Sequence, residues 1–202
     1  MLIVGCGDIG LRVARATAGR LRLLALTSSP QRVRALRAAG VTPLLGNLDV
    51  PASLRRLAGI ATRVVYLAPP PGEGWGDPRI RALTRALRLR RAPASFVYGS
   101  TSGVYGDCHG ALVAESRPAS PRTPRASKRV SAEQAVRFLG RGGGPAGPVR
   151  ASILRIPGIY APDRDGGTPR ARLERRTPVL REQDDVYTNH IHADDLARAC
   201  LL

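Results

Sequence analysis

The first ten residues constrain the fold of this chain more than any other stretch. Residues 1–4 are apolar, and the sequence GCGDIG follows at 5–10, with its glycines spaced as G-x-G-x-x-G. Apolar residues at helical spacing continue from there to residue 19. A strand, a glycine turn and a helix in this order are typical of a turn that binds the pyrophosphate of a dinucleotide. An ordinary βα turn made of small residues is the alternative.

Each glycine of the motif has its own expected role. Gly5 permits a tight turn, Gly7 lets a pyrophosphate approach the main chain because it has no Cβ, and Gly10 lets the helix pack close to the strand. Asp8 and Ile9 begin the helix, whose free N–H groups and partial positive charge favour phosphate. We therefore predict that these five residues bind the cofactor.

Short apolar strands alternate with amphipathic helices through the first half of the chain. Further strands are predicted at 22–27, 41–46, 63–67 and 95–99, and helices at 29–40, 51–57 and 78–91. This alternation predicts an α/β fold of the Rossmann type, a doubly wound parallel sheet with helices on both faces. The ligand of such a sheet lies outside the carboxyl ends of its strands.

The second half of the sequence is less regular. We expect a proline-rich loop at 117–124, a helix at 125–139, a flexible connector at 140–148, a strand at 149–156, weak periodicity at 161–185, a strand at 186–191 and a helix from 193. Because the sequence stops inside that apolar helix, we expect a truncated protein. It would consist of an NAD(P)-binding domain at 1–160 and the beginning of a substrate-binding region at 161–202.

Composition argues against several classes of function. The net charge is +17, but Lys128 is the only lysine among 32 basic residues, and the arginines are scattered over every predicted helix. A nucleic-acid partner is therefore not expected, because proteins that bind nucleic acids usually carry a basic stripe interleaved with aromatic residues. No apolar run is long enough for a membrane helix. The three cysteines, Cys6, Cys108 and Cys200, form no disulfide framework, which indicates the cytoplasm. A homodimer stays open.

Four segments together resemble a known family. GCGDIG at 5–10, LAPPP at 67–71, STSGVYGD at 100–107 and HIHADDLARA at 190–199 are similar to the extended short-chain dehydrogenase/reductases, and most of all to their atypical NAD(P)-binding members. The family includes the nucleotide-sugar epimerases and dehydratases, and it has a longer C-terminal part. The resemblance implies an NAD(P)-dependent oxidoreductase or epimerase/dehydratase-like protein that acts on a small polar substrate, and a nucleotide-linked substrate is one option.

The catalytic residues of that family are altered here. The family uses a Ser or Thr, together with a Tyr and a Lys that lie four residues apart on one helical face. Thr101, three residues before Val104, matches the Ser/Thr position. The family pattern P-Y-x-x-x-K-x-x-x-E-Q corresponds to residues 124–134, which places Arg125 at the tyrosine position and Arg129 at the lysine position. Arginine stays protonated at ordinary pH and is a poor general acid or base.

Several interpretations of this pair are open. The acid or base could come from elsewhere, such as Tyr105 or a residue of the missing part. Alternatively, the chain binds the dinucleotide without turnover, as a redox sensor or partner-binding module, and Arg125 and Arg129 hold a phosphate. Both could also be solvated surface arginines. Lys128 cannot replace the family lysine because it is turned about 100° around the helix. If Arg125 occupies the tyrosine position, its guanidinium should face the cleft beside Thr101, away from bulk solvent.

The end of the second strand indicates which cofactor is preferred. NAD-binding proteins commonly place Asp or Glu there to bind the ribose hydroxyls. This chain has Thr27 and Ser28, followed by Arg32, and so has no carboxylate that would repel a 2′-phosphate. We therefore predict NADP or NAD as the cofactor, with NADP preferred.

The resemblance adds two further cofactor contacts. It places Asp49 near the adenine, although Asp49 could equally be the N-cap of the helix that starts at residue 51. It also places Leu67, Ala68 and Pro69 in a loop over the nicotinamide ribose.

The run His190-x-His192-x-Asp194-Asp195 looks like a metal-binding pattern, because alternate residues of a strand point the same way. No other cluster of histidines or cysteines would complete the site. Asp194 or Asp195 as a helix cap is the better account, so no metal is expected.

Overall fold

The computed structural model describes residues 1–144, 147–164 and 168–202. The predicted connector at 140–148 and the weakly periodic stretch at 161–185 therefore lie partly outside the described residues. Within the described residues, no helix is both long and apolar enough to cross a membrane.

Strands and helices alternate as the sequence predicts. The strands are β1 (Leu2–Val4), β2 (Leu24–Thr27), β3 (Thr42–Leu45), β4 (Arg63–Tyr66), β5 (Ser95–Thr101), β6 (Gly143–Gly144), β7 (Gly147–Pro148), β8 (Arg150–Ile156), β9 (Gly158–Tyr160) and β10 (His190–His192). The α-helices are α1 (Asp8–Ala16), α2 (Arg32–Ala38), α3 (Pro51–Leu54), α4 (Pro78–Leu87), α5 (Pro124–Arg141), α6 (Pro169–Glu174) and α7 (Ala193–Ala199). Single 3₁₀ turns lie at Arg55–Leu57, Ser102–Tyr105 and Glu182–Asp184.

Six parallel strands form the main sheet in the order β3-β2-β1-β4-β5-β8. The chain runs outward from β1 through β2 to β3 and then returns to β4 on the other side of β1. The predicted parallel sheet is confirmed. Because the strand order reverses between β1 and β4, the carboxyl ends of these two strands form the topological switch point, where open α/β sheets bind their ligands.

Helices cover both faces of this sheet, which confirms the doubly wound fold. On one face, apolar side chains of α3, α4 and α5 pack against the strands, including Leu54, Leu83 and Val136. On the other face, α1, α2 and α7 contribute Val13, Leu36 and Leu196 to a second core. Each of these six helices buries its apolar side against the sheet, as expected for amphipathic helices.

Two short pairings in the second half were not predicted, and one of them is the antiparallel pair of β6 and β7, where a flexible connector was expected. The short strand β9 pairs in parallel with β10, so that Gly158 lies opposite His190. The strand predicted at 186–191 is present only as β10, and α7 follows it and packs against α1. Whether residues 161–202 begin a substrate-binding region stays a prediction.

A buried carboxylate fastens α5 to the sheet. Glu133 is fully buried; its Oε1 accepts a hydrogen bond from Ser100 Oγ at 2.7 Å, and its Oε2 accepts one from Arg155 Nη2 at 2.9 Å. Arg155 also donates to the carbonyl oxygens of Glu115 and Arg117, and thereby holds the proline-rich loop. Burial alone would raise the pKa of Glu133, but the hydrogen bonds from Arg155 and Ser100 outweigh it and hold the pKa below its ordinary value.

Glu133→Gln should therefore destabilise the fold, because it leaves Arg155 largely buried without a counter-ion. We expect the free energy of unfolding to fall by about 3 kcal/mol at neutral pH. The folded-state pKa of Glu133 lies below its ordinary 4.5, so the carboxylate stabilises the fold above that pH and loses this effect as the pH falls through the folded value. Urea unfolding across the acid range should show a flatter pH dependence for the variant.

Glu174→Gln is the matched control, because Glu174 pairs with Arg170 on the exposed surface of α6. It should change the free energy of unfolding by less than about 0.5 kcal/mol. An equal loss in both variants would contradict the role assigned to Glu133.

Candidate functional site

Two loops meet at the switch point, and a glycine lets them approach. The turn after β1 begins at Gly5, and the loop after β4 begins at Leu67, whose N–H donates to Val4 O at 2.7 Å. Gly5 has φ +87°, and a Cβ on it would lie 2.3 Å from Ala68 N. The predicted tight turn is present, and the contact with Ala68 is a second reason why only glycine fits here.

Gly10 and Gly7 differ in what surrounds them. A Cβ on Gly10 would lie 3.1 Å from Gly5 O and 3.2 Å from Ile3 Cγ2, so this glycine lets α1 pack closely onto β1. At Gly7, apart from its two chain neighbours, no atom of the described residues lies within 4 Å of such a Cβ. Contacts within the protein therefore do not require glycine at this position. A Cβ there would instead fill open space in front of the turn.

The start of α1 faces this open space. Gly7 is the N-cap residue and offers no side-chain hydrogen bond to the helix. The first N–H groups of a helix have no intrahelical acceptor, and they carry the positive end of the helix dipole. The N–H groups at Asp8, Ile9 and Gly10 are therefore suited to an anion. The carboxylate of Asp8 is bound by two guanidinium groups, those of Arg12 and Arg164.

The residues predicted at the end of β2 lie beside the same turn. Arg32 Nη2 donates to Cys6 O at 2.7 Å, which places an arginine against the glycine motif. Thr27 is buried, and its Oγ1 accepts a hydrogen bond from Ser29 N at 3.2 Å. Ser28 is exposed. The structure thus brings Arg32 and the turn at 5–10 together at the end of β2.

Asp49 is bound by a residue that the sequence analysis missed. Arg79 Nε and Nη2 donate to Asp49 Oδ1 and Oδ2, both at 2.6 Å, and Arg79 Nη1 donates to Pro69 O at 3.3 Å. The hydrogen bonds from Arg79 lower the pKa of Asp49. The N-cap of α3 is Val50, so the alternative role of Asp49 as a helix cap is wrong. Arg79 links the loops after β3 and β4, and no local sequence pattern could have paired residues 30 positions apart.

Thr101 and Tyr105 lie at the carboxyl end of β5. This strand continues to Thr101, two residues beyond its predicted end. Thr101 Oγ1 accepts a hydrogen bond from Gly103 N at 3.3 Å and so caps the following 3₁₀ turn. The guanidinium of Arg155 lies over the ring of Tyr105, with its carbon 4.6 Å from the ring centre. Both candidate catalytic side chains are partly exposed at this edge.

Arg129 is buried rather than solvated. Only 7% of it is exposed, and its Nη1 donates to Gly99 O at 2.8 Å, Tyr98 Oη at 3.1 Å and Ala68 O at 3.3 Å. Its Nε is buried without a partner among the described residues. The surface-arginine interpretation is therefore wrong for Arg129, because the carbonyl groups at the ends of β4 and β5 lie within its reach.

Two other cations of α5, Arg125 and Lys128, differ from Arg129. Arg125 is exposed, so the expectation that it is withdrawn from solvent is wrong. It lies in the first turn of α5, one turn before Arg129 on the same face, and contact with a bound ligand there stays a prediction. Lys128 Nζ donates to Pro71 O at 2.8 Å and Gly72 O at 2.6 Å. Lys128 is thus bound to the loop after β4, and its inability to replace the family lysine stays a prediction.

The histidine run forms a helix cap and ion pairs. His192 Nδ1 accepts a hydrogen bond from Asp194 N at 3.3 Å, so the cap of α7 is His192 and not Asp194 or Asp195. Asp194 is bound by Arg12 and Asp195 by Arg198. Among the residues that the structure describes, no group of three or more His, Cys, Asp or Glu could hold a metal ion.

Solved structures of other proteins share this architecture. A conserved protein of unknown function from Silicibacter pomeroyi is 28% identical, with a TM-score of 0.73, and the match covers 99% of this chain and 66% of that one. A candidate NAD-dependent epimerase/dehydratase from Methylobacillus flagellatus is 27% identical, with a TM-score of 0.68, covering 98% and 66% of the two chains. The chain therefore spans 66% of the length of these two proteins.

More distant structures support the fold alone. The UDP-glucose 4-epimerase of Thermus thermophilus, solved with NAD, has a TM-score of 0.75 at 19% identity, covering 98% of this chain and 72% of the other. No curated protein matches the sequence. The model of the NAD dependent epimerase/dehydratase family matches residues 1–202. With its glycine turn at the switch point of a doubly wound parallel sheet, the chain belongs to the NAD dependent epimerase/dehydratase family.

Proposed function

We propose that this chain binds NADP or NAD with the pyrophosphate at the turn formed by residues 5–10. The open space at Gly7 is the observation that carries this proposal. Gly5 and Gly10 are each explained by contacts within the protein, whereas Gly7 is explained by a ligand that approaches the main chain. Family membership supports the same cofactor class.

The remaining predicted cofactor residues take their roles from their position around this turn. Arg32, which lies against Cys6, and the neutral pair Thr27 and Ser28 suit a 2′-phosphate, and therefore NADP. Asp49, oriented by Arg79, would contact the adenine.

The loop formed by Leu67, Ala68 and Pro69 would lie over the nicotinamide ribose. When bound, the nicotinamide supplies hydride transfer.

The proposed chemistry is an oxidoreductase or epimerase/dehydratase-like reaction on a small polar, nucleotide-linked substrate. The hydroxyl of Thr101 would donate a hydrogen bond to a substrate oxygen at the carboxyl edge of the sheet. Arg125 could hold an anionic group of the substrate but could not move a proton. Tyr105, a partly exposed phenol at the same strand end, is the proposed acid or base.

Binding without turnover is the second candidate function, and the contacts of Arg129 favour it. The guanidinium at the lysine position is committed to main-chain carbonyl groups and to Tyr98, so it cannot assist a proton transfer at α5. A chain of this kind would sense the redox state of the dinucleotide or support a partner protein. For either function we propose a cytoplasmic protein, and a homodimer stays open.

Gly7→Val should abolish dinucleotide binding without unfolding the protein. The added side chain would occupy the open space at the turn, where its Cβ would meet no atom of the described residues beyond the two chain neighbours. We expect calorimetry to show no binding of NADP or NAD, with the circular dichroism spectrum and melting temperature near those of the wild type. Gly5→Ala is the contrasting variant and should fail to fold, because its Cβ would meet Ala68. Wild-type affinity in Gly7→Val would refute the site.

Ser28→Asp should shift the cofactor preference. A carboxylate at this position would repel a 2′-phosphate, and we expect the binding free energy of NADP to weaken by about 1–3 kcal/mol while that of NAD hardly changes. Ser28→Asn is the neutral control. If the wild-type protein prefers NAD strongly in the same titrations, the assignment of Thr27, Ser28 and Arg32 is wrong.

Thr101→Ala should lower turnover by about 100-fold if its hydroxyl polarises the substrate. Thr101→Ser retains both the hydroxyl and the cap to Gly103, and should keep most of the activity. The measurement is nicotinamide absorbance over a panel of nucleotide sugars, with cofactor affinity determined in parallel. Equal turnover in Thr101→Ala and the wild type would remove this role. No turnover by the wild type, despite tight cofactor binding, would favour the non-catalytic function.

A further inference from the structure

A cluster of ion pairs surrounds the first residue of α1. Asp8 Oδ1 lies 2.9 Å from Arg12 Nε, and Asp8 Oδ2 lies 2.8 Å from Arg164 Nε. Arg12 continues the cluster to Asp163 and Asp194, each at 2.6 Å. The carboxylate that directly follows the glycine turn is thus shared by two cations, and one of them comes from the segment after β9.

The two arginines differ in what they could still bind. Arg12 is 5% exposed, and its Nε, Nη1 and Nη2 donate to Asp8, Asp194 and Asp163, respectively. Arg164 is one-third exposed, with its Nε on Asp8 and its Nη1 on Ile159 O at 2.8 Å. The hydrogen bonds among the described residues leave Arg164 Nη2 unused. Of these two arginines, Arg164 is therefore the one that can donate a hydrogen bond to a further anion.

We propose that Arg164 donates a charged hydrogen bond to the cofactor pyrophosphate, and that Asp8 holds it beside the turn for this purpose; the inference rests on the proposed dinucleotide binding. Asp8 is the first residue of α1, so its partner guanidinium lies next to the N–H groups that would receive the phosphate. Arginine is suited to this position because its planar fork binds a carboxylate on one edge and a phosphate on another.

Arg164 should differ from the residues at the end of β2 in its effect on the two dinucleotides. Both NAD and NADP carry the pyrophosphate, so loss of Arg164 should weaken the two equally, whereas Ser28→Asp acts on NADP alone. Asp8 would have a positioning role, because its carboxylate holds Arg164 beside the turn. An unpaired carboxylate at this site would repel the pyrophosphate. In the ion pair, the carboxylate of Asp8 instead orients the guanidinium of Arg164.

The experiment is a calorimetric titration of the full chain with NAD and with NADP. Arg164→Gln should raise both dissociation constants about tenfold or more, and Arg164→Lys should recover part of the loss because it keeps the charge. Both losses should shrink at high salt, as expected for a charged contact near the surface. Arg170→Gln, which removes the exposed partner of Glu174 on α6, is the matched control and should leave both constants unchanged.

A double variant tests whether the contact is direct. If Arg164 only offsets the charge of Asp8, then Asp8→Asn combined with Arg164→Gln should bind as tightly as the wild type, and that result would overturn the proposal. A direct contact predicts that the double variant still binds more weakly than the wild type, because removing the repulsion of Asp8 does not restore the hydrogen bond from Arg164 to the phosphate. Unchanged affinity in Arg164→Gln would also overturn it, with the proposed function left intact. If the wild type binds neither dinucleotide, the proposed function fails and the inference falls with it.

Discussion

The close approach of Gly5 to the backbone of Ala68 is the contact on which the site depends. A side chain on Gly5 would lie 2.3 Å from Ala68 N, so the turn after β1 and the loop after β4 meet only because this residue is glycine. These loops follow β1 and β4, the two neighbouring strands between which the strand order reverses. The position of the loop after β4 therefore sets the shape of one side of the proposed cofactor site.

Three cations hold that loop in place, and one of them is Arg129, the arginine at the lysine position of the family pattern. Arg79 donates to Pro69 O, Lys128 donates to Pro71 O and Gly72 O, and Arg129 donates to Ala68 O. The loop contains the run Pro69–Pro71, and proline has no N–H with which to form backbone hydrogen bonds. Side-chain donors satisfy the carbonyl groups instead, as buried or partly buried polar groups require. The arginine at the lysine position thus has a structural task.

Local patterns predicted the fold well, whereas long-range pairing could not be read from them. The turn at 5–10 and the parallel sheet follow from glycine spacing and from strand–helix alternation. The pairing of β9 with β10 could not be predicted, because three-residue strands are too short to show a period. Arg125 and Arg129 have the same residue type and share a helix face, yet one is exposed and the other buried. The difference arises from strand-end carbonyl groups that lie within reach of Arg129, and only the tertiary structure places them there.

Tertiary contacts also explain part of the high arginine content of this chain. The guanidinium group presents five donors in a rigid fork, so one side chain can join several acceptors where a lysine would supply a point charge. Arg12 uses this property to join α1 to Asp163 and Asp194, and α7 also packs its apolar side against α1. The segment after β9 therefore shares both a core and an ion-pair cluster with the proposed cofactor turn. If Arg164 contacts the pyrophosphate as proposed, a change in that segment would alter cofactor affinity through the ion pair with Asp8.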